Sequence, residues 1–166
     1  METETQTAAP QETDDPWLTE AEQCAWRTHL DVNRLLTYQM EKDLQPFGLT
    51  MNDYEILVNL SEAEDRRLRM TDLAAATLQS KSRLSHQVTR MESAGLVKRE
   101  HCESDRRGLF AVLTDQGMNT MREVAPHHVA SVRRHFIDML TPEQLAQLRA
   151  SLTPVADQLR RRRGKN

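Results

Sequence analysis

The 166-residue sequence predicts a mainly α fold with a small β-hairpin. Two observations carry this. Hydroxyl residues suited to capping a helix recur at Thr19, Thr50, Thr71, Ser80, Thr114 and Thr141, with apolar residues at helical spacing after most of them. One stretch, 96–113, instead sets two apolar, β-prone runs on either side of a charged tip.

The elements follow in order. Residues 1–15 are polar and acidic and read as a disordered tail. Thr19 and Glu22 have capping-box spacing, and a long helix should run to about residue 45, where Pro46 and Gly48 break it. Trp26, Leu30, Met40, Leu44 and Phe47 fall near one stripe of that helix. Thr50 caps a second helix over 51–63, and the polar stretch 62–69 reads as a loop. Thr71 caps a short third helix ending near 77, with a turn at 78–80. Ser80 caps a fourth over 81–94, stopped by Gly95. After the hairpin, Thr114 opens a fifth helix to about 140, which Pro126 should kink or divide. Thr141-Pro142-Glu143-Gln144 is the strongest helix start in the chain: a cap, proline at the first position, an acid and a capping-box glutamine. That helix should run to about 162.

Composition narrows the function. No apolar run approaches the ~18 residues of a membrane span, and the acidic start does not resemble a secretory leader. A cytoplasmic protein is expected. Two cysteines, Cys24 and Cys102, make neither a disulfide framework nor a metal-ligand pair. Five glycines are too few and too scattered for a phosphate-cradling loop. There is no Ser/His/Asp grouping, zinc-peptidase motif or dinucleotide fingerprint, so neither an enzyme nor a cofactor is expected. His127, His128 and His135 lack acidic or cysteine partners at coordinating spacing, so no metal site is expected there.

The formal net charge of −3 conceals an uneven distribution. Residues 1–22 hold seven carboxylates and no Lys or Arg, which leaves +4 on the remainder. The segment 81–107 carries seven bases against four acids, and Arg160, Arg161, Arg162 and Arg163 form a second cluster. Within the fourth helix, Leu84, Val88 and Met91 share one face. The opposite face holds Ser82, His86, Thr89 and Arg90, flanked by Arg83 and Ser85, and no carboxylate. An ordinary solvated helix mixes both charge signs. A surface of Ser, Arg, His and Thr offers donors to phosphates and base edges.

Two short helices, a turn, a basic helix and a charged-tip hairpin make the order of a winged helix-turn-helix. The stretches 70–76, 82–99 and 104–117, the last running Ser-Asp-Arg-Arg-Gly-Leu-Phe-Ala-Val-Leu-Thr-Asp-Gln-Gly, resemble the MarR (multiple antibiotic resistance regulator) family. The resemblance covers roughly residues 20–162. It implies dimerisation helices at 16–48 and 114–162 and a winged helix-turn-helix DNA-binding lobe at 49–113; residues 163–166, beyond it, read as a disordered basic tail. It implies a homodimer on a pseudo-palindromic double-stranded DNA operator, usually as a repressor. Ser82, Arg83, Ser85, His86, Thr89 and Arg90 would face the major groove. Arg106 or Arg107 would enter the minor groove, with Asp105 holding the wing tip.

Many members of that family release DNA on binding a small anionic or aromatic effector. Trp26, His29, Asn33, Tyr38, Tyr54 and Glu55 are the candidates for lining such a pocket, against the plainer reading that they are core and interface residues. Two alternatives stand beside the regulator: a winged-helix protein–protein or dimerisation scaffold without DNA binding, and a thiol redox-sensing regulator acting through Cys24. The scaffold would place acids or apolar groups on the exposed face of the fourth helix, which the sequence does not.

Overall fold

The structure, a computed structural model, describes residues 16–102 and 105–163, with the side chains of 102–107 outside that description. The tail expected at 1–15 lies outside it, as do residues 164–166 of the tail expected at 163–166; Arg163, the first residue of that expected tail, is instead the last of a helix. Among the described residues, six α-helices and three strands follow in the order α1 (Glu20–Leu44), α2 (Met51–Glu62), β1 (Arg67–Arg69), α3 (Met70–Ala76), α4 (Lys81–Ser93), β2 (Val97–Cys102), β3 (Asp105–Leu113), α5 (Asp115–His135) and α6 (Pro142–Arg163). None of the described helices is long and apolar enough to cross a membrane. The chain divides into two compact units, Met1–Leu35 and Leu36–Asn166, with the boundary inside α1.

Most of the expected caps are in place. The Thr19 amide donates to Glu22 Oε2 at 2.8 Å, and the Glu22 amide returns a bond to Thr19 Oγ1 at 3.3 Å. Thr50 and Asp53 form the same reciprocal box on α2. Thr141 and Gln144 do so on α6, at 2.9 and 3.2 Å. Gly48 and Gly95 adopt positive φ, the conformation that ends a helix most cheaply with glycine.

The structure corrects three expectations. The stretch 62–69 is not a plain loop: after a short 3-10 turn, β1 pairs antiparallel with β3, placing Arg67 opposite Val112 and Arg69 opposite Phe110. The hairpin is therefore part of a three-stranded sheet ordered β1-β3-β2. Thr71 does not cap α3, which begins at Met70 straight out of β1 with no side-chain cap. Strand pairing fixes the entry of that helix, so a capping side chain is not required. Finally, α5 runs undivided through Pro126 but stops at His135, and a 3-10 turn (Ile137–Met139) leads toward α6.

The core lies in the second unit. Ile56, Leu57 and Leu60 of α2, Leu73 of α3 and Leu84, Val88 and Met91 of α4 are buried with Val97, Ala111 and Leu113 of the sheet. Val124 brings α5 into the same cluster. The sheet and the helix-turn-helix thus share one apolar centre, and the polar face of α4 is what remains outside. Gly117 locks α5 to this body: a Cβ there would lie 2.0 Å from the Leu96 carbonyl oxygen. The Thr114 hydroxyl donates to the Gly95 carbonyl at 2.7 Å and accepts from the Gly117 amide at 2.9 Å. The Leu113-Thr114-x-x-Gly117 spacing is therefore a packing device, with hydroxyl and absent side chain acting on the same turn.

Candidate nucleic-acid interface

Helix α4 begins at Ser80, whose hydroxyl accepts from the Arg83 amide at 3.2 Å, and no acid occupies its first turn. Its positive N-terminal end is thus left without a carboxylate, which suits phosphate. With Leu84, Val88 and Met91 buried, the helix is fixed in rotation. Ser82, Arg83, Ser85, His86, Thr89 and Arg90 are all exposed together, on the side expected from the wheel.

Two of the six are already engaged. Thr89 donates its hydroxyl proton to the Ser85 carbonyl at 2.9 Å. Arg90 pairs with Asp53, whose side chain is wholly buried while that of Arg90 is 54% exposed. Asp53 gathers four donors. It accepts from the Thr50 amide at 2.9 Å, the Thr50 hydroxyl at 2.7 Å, Gln87 Nε2 at 3.0 Å and the Arg90 guanidinium. Burial by itself would raise its carboxyl, but the hydrogen bonds from Arg90, Thr50 and Gln87 outweigh it and hold the group below 3.8.

A second node ties α4 to the wing. The Arg99 amide on β2 donates to Glu92 Oε1 at 2.9 Å, and its guanidinium donates to Glu92 Oε2 at 2.5 Å. The same guanidinium reaches the Ser85 carbonyl at 2.7 Å and Thr89 Oγ1 at 2.9 Å. Glu92, near the end of α4, is consumed here. Sequence reasoning missed Asp53, Gln87 and Arg99. Thr50-x-x-Asp53 spacing signals the cap, but nothing local signals partners 34 and 37 residues away.

At the wing, the backbone of Asp105, Arg106 and Arg107 opens β3, with Cys102 opposite Asp105 after an irregularity beyond His101. Their side chains lie outside the described residues, so the expected minor-groove arginine is placed by its strand alone.

The candidate effector residues fall on the two units. In the first, Trp26 and His29 stack with centroids 5.8 Å apart, and His29 meets Asn33 across 2.9 Å. In the second, Tyr54 is buried with its ring 4.4 Å from that of His128, Glu55 is exposed and Tyr38 is exposed. Of the α5 histidines, His127 and His128 make ring contacts, the former 4.9 Å from the Phe47 ring, and His135 Nε2 makes a polar contact with the Asp43 carboxylate at 3.1 Å. Among the described residues, no three His, Cys, Asp or Glu side chains gather as a metal site would require. Cys24 is exposed on α1.

A family profile described as the MarR family matches residues 47–108, the lobe that holds these nodes. AbsC, a MarR family transcriptional regulator from Streptomyces coelicolor, is 75% identical, with a TM-score of 0.84 over 88% of this chain and 99% of its own. Sco3205, a MarR family regulator from the same organism solved in complex with DNA, is 45% identical, with a TM-score of 0.83 over 89% of this chain and 93% of its own. The transcriptional repressor YetL of Bacillus subtilis is 26% identical over 102 residues, which span 61% of this chain and 61% of YetL.

Proposed function

From the premise that this chain belongs to the MarR family of transcriptional regulators, we propose that it acts as a homodimeric repressor on a pseudo-palindromic operator. Each copy lays α4 in the major groove and its wing in the adjoining minor groove. The observation that carries the reading is the outer face of α4, where six donor-bearing residues lie exposed with no carboxylate among them. Its shape and electrostatics fit a groove lined by phosphates and base-edge acceptors. Ser82, Arg83, Ser85 and His86 are the residues left for base and phosphate contacts once the Arg90 and Thr89 bonds are taken into account. Arg106 or Arg107 supplies the minor-groove guanidinium. The scaffold alternative has no apolar or acidic surface at α4 on which to rest.

Homodimerisation is supported by helices that bury almost nothing. Helix α6 has no buried residue along its 22 positions. Leu152, Val155 and Leu159 form an exposed stripe on it. On α1, Trp26, Leu30, Val32 and Leu35 are exposed as well. Apolar helix faces of this size seek a partner, and a second copy is the partner the family supplies.

Release by a small anionic or aromatic effector completes the proposal. The Trp26–His29 stack with Asn33 at its end offers a flat aromatic surface beside a hydrogen-bonding group. The experiment that tests the core of the proposal is selection of genomic fragments by the purified protein. Recovery of one inverted-repeat sequence supports it; recovery of unenriched DNA contradicts it.

A further inference from the structure

Resting on that DNA-binding reading, we propose that Asp53 is a positioning residue for sequence discrimination. It sets the bearing of α4 on the duplex and withholds the charge of Arg90 from the phosphates, though its own side chain does not reach the DNA.

The argument begins with the cost of the arrangement. A wholly buried carboxylate is tolerated only when its lone pairs are met. Asp53 meets them with four donors from two helices: the Thr50 amide and hydroxyl, which start α2, and the Gln87 and Arg90 side chains of α4. A cap needs only the first pair. Gln87 and Arg90 sit three residues apart, about one turn, so they grip α4 from one side and resist its rotation about its own axis. Rotation matters because base readout depends on which side chains point at the groove floor.

The second half concerns charge. Arg90 is half exposed on the face offered to DNA, where a free guanidinium would add a sequence-independent phosphate contact. Paired with Asp53, it is neutralised and held. The pair therefore trades general attraction for a fixed helix. Arg99 restrains the same helix from the wing side through Glu92, Ser85 and Thr89, so α4 is held at both flanks.

The test uses Asp53→Asn in the full chain. Affinity is measured by fluorescence anisotropy at several salt concentrations for two duplexes: the best sequence that the wild-type protein selects from a randomised library, and a scrambled duplex of equal composition. The expected result is at least a tenfold fall in the ratio of the two affinities. The salt slope on the scrambled duplex should steepen by about 0.9 per protomer, as Arg90 becomes free to displace a counterion. Stoichiometric titration fixes the active fraction, so loss of folded protein is not mistaken for loss of discrimination. Gln87→Leu, which leaves the α2 cap untouched, should lower the ratio in the same direction by a smaller factor. An unchanged ratio, or equal losses on both duplexes at full active fraction, overturns the proposal. Failure of the wild-type protein to enrich any sequence overturns the DNA-binding reading itself and this inference with it.

Discussion

Arg99 of β2 closes on Glu92 of α4 through both its backbone amide, at 2.9 Å, and its guanidinium, at 2.5 Å. Side-chain exposures of 19% for Arg99 and 37% for Glu92 put the pair between a surface ion pair and a buried one. The wing is thereby tied to the helix it flanks. Arg99→Ala should destabilise the lobe by about 1–2 kcal/mol, since it removes a charge-assisted bond and leaves the half-buried Glu92 carboxylate without its guanidinium partner. A urea titration checks this. A midpoint equal to wild type would mean that the pair adds nothing.

Gly117 gives a sharper case. With the Leu96 carbonyl oxygen 2.0 Å from any Cβ placed there, Gly117→Ala forces α5 away from the α4–β2 turn. The expected loss is about 1–3 kcal/mol, the cost of overpacking a site that cannot yield. Thermal melting reads the effect, and a stability equal to wild type would show that the backbone relaxes freely.

For the wing, replacing Arg106 and Arg107 with alanine should cost more than ~1 kcal/mol of operator affinity and reduce the salt slope by about 0.9 for each phosphate no longer neutralised. A mobility-shift titration at several salt concentrations measures both quantities. Wild-type affinity with a wild-type slope would remove the wing from the interface.

His128 predicts a pH dependence. Burial lowers the pKa of its imidazole below 6.5, because the charged form loses hydration beside Tyr54. The unfolded chain therefore binds a proton at higher pH than the folded one does. Stability from this group is complete above pH 6.5 and is lost progressively as pH falls from there toward the lowered folded value. Melting temperatures measured from pH 8 down to pH 5 should fall below pH ~6.5, and His128→Phe should remove that part of the fall. An identical pH profile in the variant would assign the dependence to other groups.

The sequence reveals the parts of this fold whose causes are local. Thr141, Pro142 and Gln144 mark the start of α6 because capping needs only four neighbouring residues, and the burial of Leu84, Val88 and Met91 follows from helical spacing. β1 is hidden because Arg67-Leu68-Arg69 has no strand pattern of its own and becomes a strand only by pairing with residues 110–112. The start of α3 is misplaced for the same reason, since β1 supplies the entry that a cap would otherwise mark. At the candidate interface, the exposed face of α4 is legible as a stripe on one helix. The Asp53 and Arg99 nodes are not, because they join side chains from different elements whose approach depends on the finished core.

Hydroxyl-radical footprinting of a selected operator, with the protein-to-DNA stoichiometry measured in the same complex, tests the central claim most directly. Two copies per duplex should protect two symmetry-related patches centred about one helical turn apart, ~10 bp. A single protected patch with one copy bound, or protection unaffected by Arg83→Ala and His86→Ala in α4, would contradict it.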